Sequence, residues 1–345
     1  MKITKLAIFL FIYLFLTFFI FYIFAEQIEK ISKTKSNIDK QIPTIRWDVL
    51  KIENVSESIK AWAGTSIAID KKNRVHIVYM SSYYGNLKYA ILNGNAWYKE
   101  QIPSAEYSCD YNSLALDSKD IPHICYYDRV TKKLKYIKKV STNNWIAQIV
   151  DEDGVTGIGN SIKLDKNDNP CISYIDDSKK YLKYAKFTDS AWNIAIIDSN
   201  VTGLTSLSLD SKGYPHIVYC SKEILKLASW NGEKWEITKI DDNAVSKPAI
   251  AIDKQNNIYI VYPTRTYNPL SGALMLTKYS KGSLSRSTIF TRIDPPATSS
   301  ICIDKNGNIH IVNIREKNVL SYITKVNETW NVQIIDKLEL VAVSE

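Results

Sequence analysis

Four histidines are the residues of this chain with the most obvious chemical potential, and their spacing repeats. His76, His123, His216 and His310 each stand six residues after an aspartate: Asp70, Asp117, Asp210 and Asp304. Imidazole is the commonest metal ligand. The same six-residue step, however, leads from Asp165 to Cys171 and from Asp253 to Tyr259. One residue from each of six copies of a single strand position reads as packing, and no metal or other cofactor is expected. The six aspartates end a strand just before a turn, where a carboxylate accepts turn amides as in an Asx turn. Turns such as DKNDN (165–169) and DKNGN (304–308) look like calcium loops. They lack the later bidentate Glu and the fixed Gly of an EF-hand loop. The five cysteines, Cys109, Cys125, Cys171, Cys220 and Cys302, are odd in number and follow neither zinc-site nor disulfide spacing. Cys125, Cys171 and Cys302 fall in predicted strands, where a free thiol packs as a small hydrophobe.

The elements that carry these residues repeat with them. One unit reads Ser, apolar alternation to Asp, a polar turn, a short apolar strand ending in Tyr, a Leu-led strand, then Trp, as in SLALDSKDIPHICY and SLSLDSKGYPHIVY. The aspartates recur at intervals of 47, 48, 45, 43 and 51 residues. Four before them stand Ser66, Ser113, Ser161, Ser206, Ala249 and Ser300; nine after stand Tyr79, Tyr126, Tyr174, Tyr219, Tyr262 and Asn313. Each unit holds four strand-like runs with turn residues between them, and helical periodicity is absent after the N-terminal segment. A period near 47 with four strands is the size of a propeller blade. One blade cannot bury both its faces; stacking blades about an axis buries them. The fold class is therefore all-β, a six-bladed β-propeller over 45–345, with repeats near 66–102, 113–150, 161–198, 206–241, 249–294 and 300–336. Residues 45–53 (IRWDVLKIE) resemble an extra fourth strand without its first three. The alternative is a seven-bladed ring with an incomplete last blade, formed with the tail LELVAV.

Residues 6–25 are twenty consecutive uncharged residues preceded by Lys2 and Lys5. Twenty residues in a helix span about 30 Å, the bilayer core. Ile23 breaks the small-residue pattern of a cleavage site, so the segment reads as a transmembrane signal anchor. Residues 1–5 would be a cytoplasmic tail, 26–44 a polar stalk, and the propeller extracytoplasmic, at the cell surface or in the periplasm. Sequons at Asn54, Asn200 and Asn327 are then glycosylation candidates. The net charge of +8 comes from 44 Lys plus Arg against 36 Asp plus Glu. Only seven of these cations are Arg, and they are dispersed along the chain, which argues against nucleic acid as a partner.

The pattern S-[LI]-x-[LI]-D…[PI]-H-I-x-Y…L-x-[YL]…W, over roughly 66–336, resembles sialidase-like and BNR-type propeller repeats of bacterial and archaeal surface proteins. The sialidase Asp-box spacing is not met, since two residues separate Asp210 from Gly213. The resemblance implies a propeller and, if activity follows, an arginine triad for a substrate carboxylate, a Tyr nucleophile with a Glu partner and an Asp acid. Arg129, Arg265 and Arg315 fall on the loops between second and third strands, with Asp128, Asp176, Asp177 and Glu316 on comparable loops. The set expected for a sialidase-like glycosidase is Arg129, Arg265, Arg315, Asp128, Asp177 and Glu316.

Departures from a repeat are where specific function can be placed. Tyr83, Tyr84, Tyr107, Tyr111 and Tyr267 sit on variable loops with Asp128, Arg129, Asp176, Asp177, Arg265 and Arg315. Aromatic faces with nearby charges suit a glycan or a protein ligand. The leading expectation is a non-catalytic binding module anchored in a membrane. The alternatives are a sialidase-like glycoside hydrolase and a scaffold subunit of a cell-envelope complex.

Overall fold

A computed structural model describes residues 7–11, 47–52, 64–80, 86–103, 105, 109–244, 247–265, 272–293, 298–315, 319–326 and 329–337. Six four-stranded antiparallel sheets follow one another along the chain, each with its strands in sequence order. The first blade is Ser66–Ile69, Val75–Met80, Leu87–Asn93 and Ala96–Gln101. The protein is thus a six-bladed β-propeller. First strands of successive blades, from the first to the sixth, lie against one another while the fourth strands splay apart, so the first strands are innermost. They are Ser66–Ile69, Cys109–Leu116, Thr156–Leu164, Thr202–Leu209, Ala249–Ile252 and Thr298–Ile303.

The repeated residues fasten the blades. Four of the repeat serines accept a backbone amide from the next blade's inner strand: Leu114 onto Ser66 (3.0 Å), Ile162 onto Ser113 (3.1 Å), Leu207 onto Ser161 (3.2 Å) and Ile250 onto Ser206 (3.3 Å). Ala249 has no hydroxyl to continue the series. Between blades the apolar faces interlock, as where Val78, Leu87, Tyr89 and Ile102 of blade one meet Leu114, Ile124, Tyr126 and Trp145 of blade two. Tyrosine edges meet the next blade's tryptophan at 5.4 Å (Tyr89–Trp145), 5.3 Å (Tyr136–Trp192) and 5.4 Å (Tyr184–Trp235). Such edge-to-face pairs add about 0.5–1.5 kcal/mol each beyond their buried area. The five cysteines are free, and all but Cys302 are buried.

The N-terminal segment differs from the expected transmembrane helix. Ala7–Phe11 is a strand paired in parallel with Trp47–Lys51. No helix among the described residues is long and apolar enough to cross a membrane. A run of Ile, Phe, Leu and Tyr satisfies a buried strand as well as a helix, because continuous apolar sequence carries no periodicity to separate them. Residues 12–25 and the stalk 26–44 lie outside the described residues.

The orphan fourth strand has a definite place. Ile52 packs on the face of blade one with Ile77, Tyr79, Ala90 and Leu92. Ile102 and Ile240, also at the ends of fourth strands, hold this position against blades two and five. Lys99 Nζ donates to the Ile52 carbonyl at 3.3 Å, just as the Arg286 guanidinium donates to that of Ile240. Trp145 donates to Glu100 (3.4 Å) and Trp192 to Gln148 (3.1 Å), in each case three residues after the preceding blade's tryptophan. By that rule Trp97 would donate to Gln333 if blade six met blade one directly. Trp97 Nε1 and Gln333 Oε1 are instead both buried without a hydrogen-bond partner. The segment ending at Ile52 therefore flanks blade one as a fourth strand would, and six complete blades leave a distinct seam there.

Candidate functional site

The residues with the most regular chemistry are absorbed by the blades. In all six repeats the aspartate Oδ1 accepts two turn amides, as Asp70 does from Lys72 (2.9 Å) and Arg74 (2.7 Å). The other oxygen faces the histidine: His76 Nε2 is 3.2 Å from Asp70, His123 3.4 Å from Asp117, His216 3.7 Å from Asp210 and His310 3.4 Å from Asp304. On the far side of the ring, Nδ1 lies 2.6 Å from the hydroxyls of Tyr89, Tyr136 and Tyr322, or 2.9 Å from that of Ser229. For His76 and His123 a neutral imidazole that donates to the carboxylate and accepts from the hydroxyl satisfies both partners, whereas His310 Nε2 is buried without a hydrogen bond. Burial lowers the pKa of all four histidines, His123 to about 4 with Lys138 adding to the effect. The histidines are cross-braces within single blades.

A second network binds fourth strands to the following blade. Tyr174 donates to Asp151 (2.7 Å), Tyr219 to Asp198 (2.7 Å) and Tyr262 to Asp241 (3.0 Å). Lys183, itself buried, bridges Asp151 (2.9 Å) and Asp176 (3.1 Å). Two sequence candidates belong here. Asp176 also accepts the amides of Ser178 and Lys179, and Asp128 accepts those of Val130 and Thr131 while pairing with Lys135. Burial opposes it, but these donors hold both carboxyls below the ordinary aspartate range. Both act as turn anchors.

The inner strands of blades two, three and four share a bulge, and blade two places a tyrosine at it. Between Asp110 and Ser113 the inner strand bulges, and Tyr111 takes a left-handed φ of 49°. The bulge turns Tyr111 toward Tyr127, with ring centroids 6.4 Å apart and planes inclined at 55°. Arg129 grips Asp110 through both nitrogens of its fork, Nη2 at 2.7 Å. Burial lifts the Asp110 carboxyl against the pull of Arg129. Burial followed by the Asp110 charge raises both tyrosine hydroxyls, and Asp177 of blade three adds to the effect. Half-buried aromatic faces beside a guanidinium held bidentately by its acid form a patch suited to polyhydroxylated ligands.

The other sequence candidates do not converge on it. Arg265 stands on blade five, exposed, 3.6 Å from Glu223 of blade four. Asp177 is exposed and pairs with Lys180 at 2.5 Å. Each arginine with a described side chain at these loops therefore faces its own acid. Arg315 ends the strand Ile309–Arg315, and its side chain lies outside the described residues, as do Tyr83, Tyr84, Tyr107, Tyr267 and Glu316. Asn200 is exposed, and the sequons at Asn54 and Asn327 are outside the described residues. Sequence reasoning passed over Asp110 and Tyr127. Tyr127 carried a usable signal, because other blades place Met80, Ile175, Cys220, Pro263 or Ile314 there.

The fold defines a class, the six-bladed β-propellers. No family model matches the chain, and no curated protein does. Among solved structures it is similar to the SapL1 lectin in complex with α-methyl fucoside, at a TM-score of 0.56 and 12% identity over 79% of this chain and 95% of that one. A polysaccharide lyase, an ulvan lyase bound to -[GlcA(1-4)Rha3S]-, matches with TM-score 0.51 and 13% identity, over 79% and 78%. The intramolecular trans-sialidase of Ruminococcus gnavus, in complex with oseltamivir carboxylate, matches with TM-score 0.50 and 11% identity, over 80% and 95%. At these identities the likeness is one of fold, and the resemblance to sialidase-like propellers holds at that level.

Proposed function

We propose that the protein is a non-catalytic glycan-binding propeller whose ligand contacts the patch of Tyr111, Tyr127 and Arg129. One observation carries this reading. Tyr111 is held in a backbone conformation that costs a non-glycine residue about 1 kcal/mol or more, and the blade repeat does not require a tyrosine there. The strain places its ring beside Tyr127 and the Arg129–Asp110 pair. Similar propellers include a lectin solved with a fucoside, in keeping with a sugar ligand. A glycan array probed with the full chain, alongside Tyr111→Ala and Arg129→Ala, tests the reading. Binding should fall at least tenfold in both variants; equal binding by all three proteins sinks it.

The second reading is a sialidase-like glycosidase, favoured by the tyrosines beside Asp110 and Asp177. The separate pairing of Arg129 and Arg265 counts against a triad. Hydrolysis of a sialoside by the full chain, lost in Arg265→Ala, would replace the binding reading with this one. Membrane attachment through 6–25 and an extracytoplasmic propeller belong to the same proposal, supported by twenty uncharged residues and opposed by the strand at Ala7–Phe11. Sedimentation with membranes, and protease access to the propeller from outside intact cells, decide between them. A scaffold role would appear as stable co-purification with an envelope complex that survives Tyr111→Ala.

A further inference from the structure

Blade one is met on one face by a segment that is not a blade. The segment ending at Ile52 and the fourth strand of blade six, Thr329–Lys337, nevertheless carry the same residues in the same register. Five residues after its tryptophan each has an isoleucine, Ile52 or Ile335, and six after it an acid, Glu53 or Asp336. Isoleucine at this position fills the next blade's face elsewhere, as Ile102 and Ile240 do. The acid receives the next blade's tyrosine, as Asp151, Asp198 and Asp241 do. Two stretches of chain are therefore built for one place on blade one, and Ile52 holds it.

What blade six offers to a following blade goes unused. Ser300, whose counterparts at four boundaries accept an inner-strand amide, accepts none from the described residues, and none of them bonds Asp336. Gln333 Oε1 is buried without a hydrogen-bond partner, and so is Trp97 Nε1 on blade one. Three residues after Trp47 stands Leu50, which gives that indole no acceptor where Glu100 and Gln148 serve Trp145 and Trp192. Inner strands lie against one another at the other five boundaries, but packing of that extent does not join Thr298–Ile303 to Ser66–Ile69. Buried polar atoms left unsatisfied are costly, and a direct meeting of blades six and one would satisfy them. Blade six is the side able to shift, since the boundary behind it is the one where Ala249 supplies no hydroxyl.

We propose that this face of blade one is a socket for which the N-terminal segment and blade six compete, so that the ring has two closures. In the first, Ile52 fills the socket and Lys99 holds its carbonyl. In the second, the segment leaves, Ile335 replaces Ile52, Trp97 donates to Gln333 and the Ile67 amide to Ser300. The exchange frees the N-terminal part of the chain from the ring and changes nothing within a blade. A partner that binds one closure better than the other shifts the balance between them. The latch depends on neither the glycan nor the membrane reading.

The test follows trypsin cleavage of the Lys51–Ile52 bond in the full chain under native conditions, read by mass spectrometry. Where opening is fast relative to cleavage, the rate reports the population of the second closure. Gln333→Leu removes the acceptor and Trp97→Phe the donor, so each should slow cleavage about tenfold. The double variant should be no slower than either single one, because the pair exists only in the second closure. Gln333→Glu keeps an acceptor, as Glu100 does for Trp145, but leaves a charge buried in the first closure. It should speed cleavage. Should Trp97→Phe fail to fold, the opposite signs of Gln333→Leu and Gln333→Glu carry the test. Rates unchanged by both substitutions at 333, effects that multiply in the double variant, or cleavage in step with sites throughout the blades would each overturn the proposal.

Discussion

His123 shows how a residue suited to catalysis can be committed to the fold. Its ring stays neutral down to about pH 4 because burial and Lys138 disfavour the imidazolium, whereas the unfolded chain protonates it near pH 6.5. Between those values the unfolded state binds more protons, so acidification removes stability, roughly 3 kcal/mol from this residue by pH 4. Protonation of Asp117, whose carboxyl is held below the ordinary range, adds its loss only at lower pH. His123→Gln should therefore flatten the fall of Tm between pH 6.5 and 4, as measured by calorimetry, although it melts lower at pH 7. Tyr111 offers the converse case, a residue kept at a cost to the fold. Tyr111→Gly and Tyr111→Ala both delete the ring, but only Ala retains a Cβ at φ of 49°. The Gly variant should be the more stable by about 1 kcal/mol in urea unfolding.

The strands are held less by propensity than by what each lends its neighbour. Ser161→Ala would strip the Leu207 amide of its acceptor. The expected loss is about 1–2 kcal/mol. Ala249→Ser should do the opposite, offering the amide of Ile301 the acceptor that four other boundaries possess, with a gain of about 0.5–1 kcal/mol by the same urea measurement. The N-terminal strand belongs to this scale as well. Ile52 is buried on blade one, so Ile52→Ala should cost about 2–4 kcal/mol. An unchanged midpoint would show that the segment merely rests on the ring. The repeat made these elements legible, because Ser, Asp, Tyr and Trp recur wherever blades fasten. The bulge at Tyr111 was not legible, since it arises from one backbone torsion and not from spacing. The extended form of Ala7–Phe11 was hidden for another reason: a continuous apolar run has no period to read.

Across the whole molecule, the blades were readable and the patch only partly so. Arg129 was singled out from its loop, but its partner Asp110 lies 19 residues earlier and meets it through the fold of one blade. The three arginines looked equivalent in sequence, whereas the two with described side chains are spent on different acids. The missing hydroxyl at residue 249 has a consequence for how such a ring comes apart. A stack of blades behaves as a row of coupled units in which each link has its own strength. The row is uniform through blade five and weaker at the next joint, and the sixth blade also borders the seam. Opening should therefore begin as the fraying of that one blade, with its amides exchanging hydrogen in a faster and separately cooperative class, while the patch on blade two keeps its shape.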